Sequence, residues 1–287
     1  MTVNVLRQLE EKMDNLTNLQ KKTADYILKN PMEAAFSTIE QIAQTLDIST
    51  TTIVRLTLFL GYTGYTDFQH TLQNFLKSST VPSTKMEINM LEASSKSNLM
   101  MEITQRVLKN ITNTYDKLDY EQVLKVVEQI KYCRNIYVVG TRSSFGVAHN
   151  FSFNLDRIFN NCNFLDSNSG DIPEKIRRIT HEDMLFIFGM SRYSKATYKI
   201  GNLVHEKGTK VVVITDGYHS PFAKHADYLF IADRESVDFR NSMMASSLIA
   251  EIIIGVCTIQ NQDYAKENLQ ESELNLKLLD SMMHDNI

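Results

Sequence analysis

Cysteine is scarce in this chain of 287 residues: Cys133, Cys162 and Cys257 are widely spaced, with no C-x-x-C pair and no companion histidine pattern. That excludes a disulfide framework and a zinc site on spacing, and it implies reduced, buried thiols in the cytoplasm. Long apolar runs are also missing. The longest near the C-terminus, residues 249–259, is broken by Glu251 and too short to cross a bilayer. The N-terminus from Met1 to Glu11 is polar and charged where a signal peptide would be apolar. Nor is there a cationic coat, since the formal net charge is −4. With 43% hydrophobic residues, the chain is also not a disordered polar polymer.

What is present reads as two domains. Residues 1–77 lack any strand-like β-branched run, and Leu16, Leu19, Thr23 and Ile27 recur at helical spacing, which predicts an all-α domain. Residues 78–104 are rich in Ser and Thr, with Pro82, and read as a linker with a short ordered stretch at Met86 to Leu91. Residues 105–287 begin with helical periodicity over Ile103 to Tyr115 and Tyr120 to Tyr132. Continuously apolar runs then follow at 136–139, 184–188, 211–215 and 228–231, with a weaker one at 162–165. Runs without alternation predict strands covered on both faces. The helix-length segments between them (145–160, 193–207, 241–261) predict crossovers, hence an α/β doubly wound parallel sheet. A last helix is expected over 264–283.

The N-terminal domain contains a helix-turn-helix pattern. Thr38 is placed to cap a helix over 39–45, with Gln41 three residues on; Leu46, Asp47 and Ile48 make the turn; Ser49 caps the next helix. There Ser49, Thr50, Thr51 and Thr52 put short hydroxyl side chains on the first turn, Arg55 follows one turn later, and Ile53, Leu56 and Leu60 point inward. Short polar side chains at a helix N-terminus permit close approach to base edges and phosphates, and an arginine can clamp a phosphate or read guanine. The bland alternative is one more pair of amphipathic helices. Residues 1–80 hold seven Lys or Arg against eight Asp or Glu, so a single copy would bind DNA weakly and would depend on pairing across a palindromic site.

In the second domain, Gly140, Arg142, Ser143 and Ser144 lie in a turn between a strand and a helix, and Gly189, Ser191, Arg192 and Ser194 repeat the arrangement after the run 184–188. Such turns aim N–H groups and hydroxyls at a helix N-terminus that favours an anion, and two at neighbouring strand ends converge on one crevice. Only Gly140 of a dinucleotide fingerprint is present, which excludes that reading. The plain alternative for each turn alone is an N-cap.

The stretch IEQIAQTLDISTTTIVRLTLFLGYTGYTDF, residues 39–68, resembles the N-terminal domain of RpiR-type regulators through Ser49, Thr52, Arg55, Leu60, Gly61, Tyr62, Gly64, Tyr65 and Phe68. Gly61 and Gly64 are also read as tolerating positive φ at a helix end. Thr57, Leu58 and Phe59 stand where that family usually carries basic residues. Residues 105–260 resemble the sugar isomerase (SIS) domain, with Gly140, Arg142, Ser144 and Ala148 on its first motif and Gly189, Ser191, Arg192 and Ser194 on its second. In both motifs an arginine replaces a glycine.

The resemblance implies a homodimeric or homotetrameric transcription regulator that binds double-stranded operator DNA and senses a phosphorylated sugar effector, with no cofactor and no metal. Ser144, Ser191 and Ser194 become the phosphate ligands, while Arg142 and Arg192 either add charge-assisted bonds or restrict the site. If the sheet domains pair, ligand binding would alter the spacing of two recognition helices. The runner-up is an aldose–ketose phosphosugar isomerase, whose general base would be Glu235 or His219. A lone loop His or Glu is more often a solvated group.

Overall fold

The computed structural model describes residues 5–78, 86 and 98–278. The chain divides near residue 99 into two compact units. No single helix among the described residues is long and apolar enough to cross a membrane.

In the first unit the described residues form α1 (Val5–Lys12), α2 (Asn18–Lys29), α3 (Pro31–Phe36), α4 (Ile39–Leu46), α5 (Thr50–Leu60) and α6 (Tyr65–Ser78). Local signals punctuate them. Thr17 and Thr38 each form a reciprocal capping box with the glutamine three residues on, and Pro31 opens α3 where a missing N–H matters least. Asp47 ends α4 in the left-handed region, and Gly61 ends α5 at φ +100. Gly64, expected to need the same freedom, does not show it: its φ is not positive, and its carbonyl accepts from Phe68 N at the start of α6. One core gathers Val5, Leu9, Ile27, Ile42, Ile53, Leu56, Phe68 and Leu72. The Tyr65 hydroxyl ties α6 to α3 by donating to the carbonyls of Ala34 (3.2 Å) and Ser37 (2.8 Å).

The second unit contains α7 (Leu99–Asp116), α8 (Tyr120–Tyr132), β1 (Ile136–Gly140), α9 (Phe145–Phe159), β2 (Cys162–Phe164), α10 (Ile172–Arg178), β3 (Met184–Gly189), α11 (Lys195–His205), β4 (Lys210–Thr215), β5 (Tyr228–Ile231), α12 (Met244–Gln260) and α13 (Gln262–Leu278). The strands pair parallel in the order β2-β1-β3-β4-β5. Alternate side chains of each strand serve two cores: Ile136, Val138, Phe186, Phe188, Val212 and Ile214 meet α8, α9 and α12, while Val139, Leu185, Ile187, Val211 and Val213 meet α10 and α11. Burial on both faces explains why these strands read as unbroken apolar runs.

Helix α7 begins at Leu99, four residues before the expected start, and α10 was not foreseen. The short stretch at Met86 to Leu91 lies outside the described residues except for Met86, as does the last helix beyond Leu278. The cysteines are free thiols, Cys257 buried and the other two partly so; burial pushes all three up to about 12.

Candidate functional site

In the helix-turn-helix, Ser49 is the N-cap of α5: its Oγ accepts from Thr52 N at 3.3 Å and lies 3.1 Å from Thr52 Oγ1. Ser49, Thr51 and Arg55 are exposed, and Thr50 and Thr52 are half-exposed. Ile53, Leu56 and Leu60 are buried, so the inward face matches the reading from sequence. The hydroxyls and the arginine therefore occupy one accessible N-terminal surface. Two lysines from other helices brace the motif from behind: Lys22 Nζ donates to the carbonyl of Leu46 at 2.6 Å, and Lys12 Nζ reaches those of Phe59 and Leu60 at 3.4 and 3.5 Å. Each supplies a cation where the helix dipole is negative. Leu58 and Phe59 remain exposed beyond Arg55.

In the sheet domain the reversal of strand order falls between β1 and β3, the switch point beside which ligands of open α/β sheets bind. The turns Thr141–Ser144 and Met190–Ser194 leave the carboxyl ends of those two adjacent strands. Thr141 Oγ1 in the first lies 3.2 Å from Thr197 Oγ1 in α11, the helix that follows the second. At Gly140 there is no room for a side chain: a Cβ would lie 2.5 Å from Ala148 Cβ and 2.9 Å from the Ser144 carbonyl oxygen. Gly189 is closed likewise by the Phe222 ring, 2.1 Å from a hypothetical Cβ.

Arg142 and Arg192 take φ +57 and +69, the left-handed region that L side chains disfavour. Both are exposed, and their side chains have no hydrogen-bond or ionic partner among the described residues. The backbone is thus in a glycine-like conformation at both arginines. Ser144 is buried and Ser143 exposed, while Ser191 and Ser194 are half-buried. Ser194 caps α11, its Oγ accepting from Thr197 N at 3.3 Å, so the plain capping reading is realised there. The hydroxyls of Ser143, Ser144 and Ser191 have no partner among the described residues.

Sequence reasoning missed the group that holds the second turn. Asp216, just past β4, has a side chain only 1% exposed and forms an ion pair with Arg234 Nε. It accepts from Tyr193 OH (2.7 Å), Ser191 N (3.2 Å) and Thr215 Oγ1 (3.3 Å). Arg234 Nη1 donates to Asn241 Oδ1 at 2.9 Å, and Asn241 Nδ2 donates to the Ser191 carbonyl at 3.1 Å. Burial and the hydrogen bond to Asp216 push the Tyr193 hydroxyl pKa well up. These partners lie far apart in sequence, and an acid just past a buried strand was the only local signal. Glu235 and His219, the candidate bases of the isomerase reading, are both exposed.

Comparison with known proteins agrees with this architecture. A family model described as the helix-turn-helix domain of the rpiR family matches residues 3–79, and one described as the SIS domain matches residues 129–258. The chain is 23% identical over 274 residues to an HTH-type transcriptional regulator of Haemophilus influenzae, covering 94% of this chain and 95% of that one. It is 22% identical over 293 residues to the HTH-type transcriptional regulator HexR of Escherichia coli, covering 96% and 98%. Among solved structures, Vibrio vulnificus NanR complexed with ManNAc-6P shares the fold with a TM-score of 0.59 at 21% identity, over 98% of this chain and 100% of that one. The sugar isomerase domain of an RpiR transcription factor from Sphaerobacter thermophilus aligns with a TM-score of 0.58 at 19% identity, over 61% and 98%. With an rpiR-family helix-turn-helix domain over residues 3–79, a SIS domain over 129–258 and regulators aligned over nearly its whole length, the chain is an RpiR-type transcriptional regulator with a C-terminal SIS domain.

Proposed function

We propose that this regulator binds double-stranded operator DNA through Ser49, Thr50, Thr51, Thr52 and Arg55, and that a phosphorylated sugar held by the two turns after β1 and β3 sets its affinity for that DNA. The observation that carries the sensing half is the pair of turns at the switch point. Both are hydroxyl-bearing, both carry an arginine whose side chain has no partner among the described residues, and a hydroxyl contact ties the first to the helix that follows the second. A phosphate there would take hydrogen bonds from Ser144, Ser191 and Ser194 and charge-assisted bonds from Arg142 and Arg192. NanR, of the same fold, is described in complex with ManNAc-6P, which agrees with a sugar phosphate as the class of guest. The absence of a shielded base at Glu235 or His219 favours sensing over isomerisation. The near-neutral DNA-binding domain favours two or four copies acting together in the cytoplasm on a palindromic site.

The test is a thermal-shift panel of sugar phosphates, ManNAc-6P and glucose 6-phosphate included, beside the same sugars without phosphate. The same compounds are then titrated into a fluorescence-anisotropy assay on upstream DNA at two salt concentrations. Stabilisation by phosphorylated members alone, with a matching change in DNA affinity, is expected. A flat panel would sink the sensing half, and DNA affinity without a steep salt slope would sink the reading half.

A further inference from the structure

Helix α7 is the first described helix after the segment that joins the two domains in sequence, and its faces are reversed. Leu99, Met100, Ile103, Leu108 and Tyr115 are exposed, whereas Asn110 and Thr114 are buried. Asn110 and Thr114 meet a single loop, residues 233–235, while the third buried polar residue, Glu102, pairs with Arg106 within the helix. Asn110 Nδ2 donates to the Glu235 carbonyl at 2.7 Å, and Glu235 N donates to Asn110 Oδ1 at 3.2 Å. Asp233 N donates to Thr114 Oγ1 at 2.9 Å, while the Asp233 carboxylate accepts from Asn113 Nδ2 at 2.9 Å and Lys117 Nζ at 3.0 Å. The residue between Asp233 and Glu235 is Arg234, whose guanidinium faces the other way, onto Asp216 and Asn241.

From these contacts we infer that Arg234 is a positioning residue, coupling the turn Met190–Ser194 to helix α7 through the loop 233–235. Two physical reasons support this. Asp216 holds Ser191 N and Tyr193 OH, so it fixes the turn; unpaired, its charge would repel a dianion at that turn, and Arg234 supplies the compensation. A buried ion pair is also intolerant of losing either member, so displacement of Asp216 must be followed by Arg234 and by the short loop that carries it. Because α7 is fastened to the same loop by four hydrogen bonds, with a fifth from Lys117 just past its end, that displacement reaches the helix leading back to the DNA-binding domain. The phosphate reading of the turn bears only on what the relay transmits; the relay stands on contacts within the chain.

Hydrogen–deuterium exchange on the full chain tests it without a ligand. The N110A/N113A double variant cuts the α7 end, and D216N cuts the turn end. Each should speed exchange by at least about fivefold at the opposite end, in peptides covering 190–197 for the first and 106–116 for the second. Arg234→Lys, which keeps the charge but loses the planar fork, should do so at both ends while the protein stays folded. Thr141→Val removes the hydroxyl contact to Thr197 on α11 without touching Asp216 and should leave 106–116 unchanged. Exchange changes confined to the mutated end in N110A/N113A and Arg234→Lys would overturn the inference, even if D216N does not fold. A blank sugar-phosphate panel would remove the proposed ligand and leave this result standing.

Discussion

Replacing Arg142 and Arg192 together by glycine should make the protein more stable and a poorer binder of sugar phosphates. Both residues hold positive φ, +57 and +69, where an L side chain costs about 1–2 kcal/mol. Neither side chain has a partner among the described residues, so truncation removes no contact within the chain. Against the relief stands the entropy that glycine returns to the unfolded chain, roughly 0.5–1 kcal/mol per position. The net is about 0.5–1 kcal/mol at each site, about 1–2 kcal/mol for the pair, or a rise in Tm of about 2–8 °C for a domain of this size. Strain retained in a ligand crevice is expected where the strained groups act on the ligand. Each charge-assisted bond to a phosphate contributes about 1.5–3 kcal/mol, so the double variant should bind at least tenfold more weakly, about 1.4 kcal/mol being a factor of ten. Differential scanning calorimetry reads the first effect and isothermal titration with a sugar phosphate the second. An unchanged or lower Tm would refute the strain argument. Undiminished affinity would show that the arginines only narrow the crevice.

Arg55→Ala should weaken binding to operator DNA and flatten its salt slope by about one, with Tm nearly unmoved because the side chain is exposed; equal anisotropy titrations for both proteins would count against α5 as the reader. Ser191→Ala should abolish stabilisation by a sugar phosphate at little expense in basal stability, whereas Ser194→Ala should also lose about 1 kcal/mol as a helix cap, and thermal scans with and without ligand separate the two. Gly140→Ala forces a Cβ to within 2.5 Å of Ala148 Cβ and should lower stability by about 1–3 kcal/mol in urea denaturation; a wild-type midpoint would contradict the close approach. Burial alone would raise the Asp183 carboxyl pKa, but hydrogen bonds from Arg134, Thr180 N and Asn135 outweigh it and hold the group below its ordinary range. The unfolded chain then binds the extra proton, so this stabilisation is complete above about pH 4 and fades as pH falls through the lower folded value. The stability gap between wild type and Asp183→Asn should close on acidification, and a gap constant from pH 7 to pH 3 would refute the assignment.

The sheet was legible because its strands are covered on both faces. The unbroken runs around Val138, Phe186 and Val213 have no solvated side to alternate with, and the strand at Tyr228–Ile231 coincides with its apolar run. Caps were legible too, since Thr38 with Gln41, and Ser49, act within three residues of themselves. Helix α10 escaped because it is only seven residues long, too few to display a period. The start of α7 escaped for a different reason: its apolar side faces outward, so the usual rule for finding the buried stripe points the wrong way there. At the candidate site, the two turns were visible as strand-to-helix junctions rich in Ser and Arg. Asp216, Arg234 and Asn241 were not, because pairing brought about by the fold leaves no pattern in a local window.

The reversed helix also decides where this protein can be cut. A C-terminal fragment begun at residue 105, where the change of composition suggests, would open inside the helix Leu99–Asp116 and discard its first six residues. One begun at residue 118 would strip Asn110, Asn113, Thr114 and Lys117 from the loop they clamp, leaving the Asp233 carboxylate and the Asn110-facing peptide groups to water. An isolated sheet domain that keeps the loop 233–235 clamped must therefore carry the whole of that helix, and solubility tags belong ahead of residue 99.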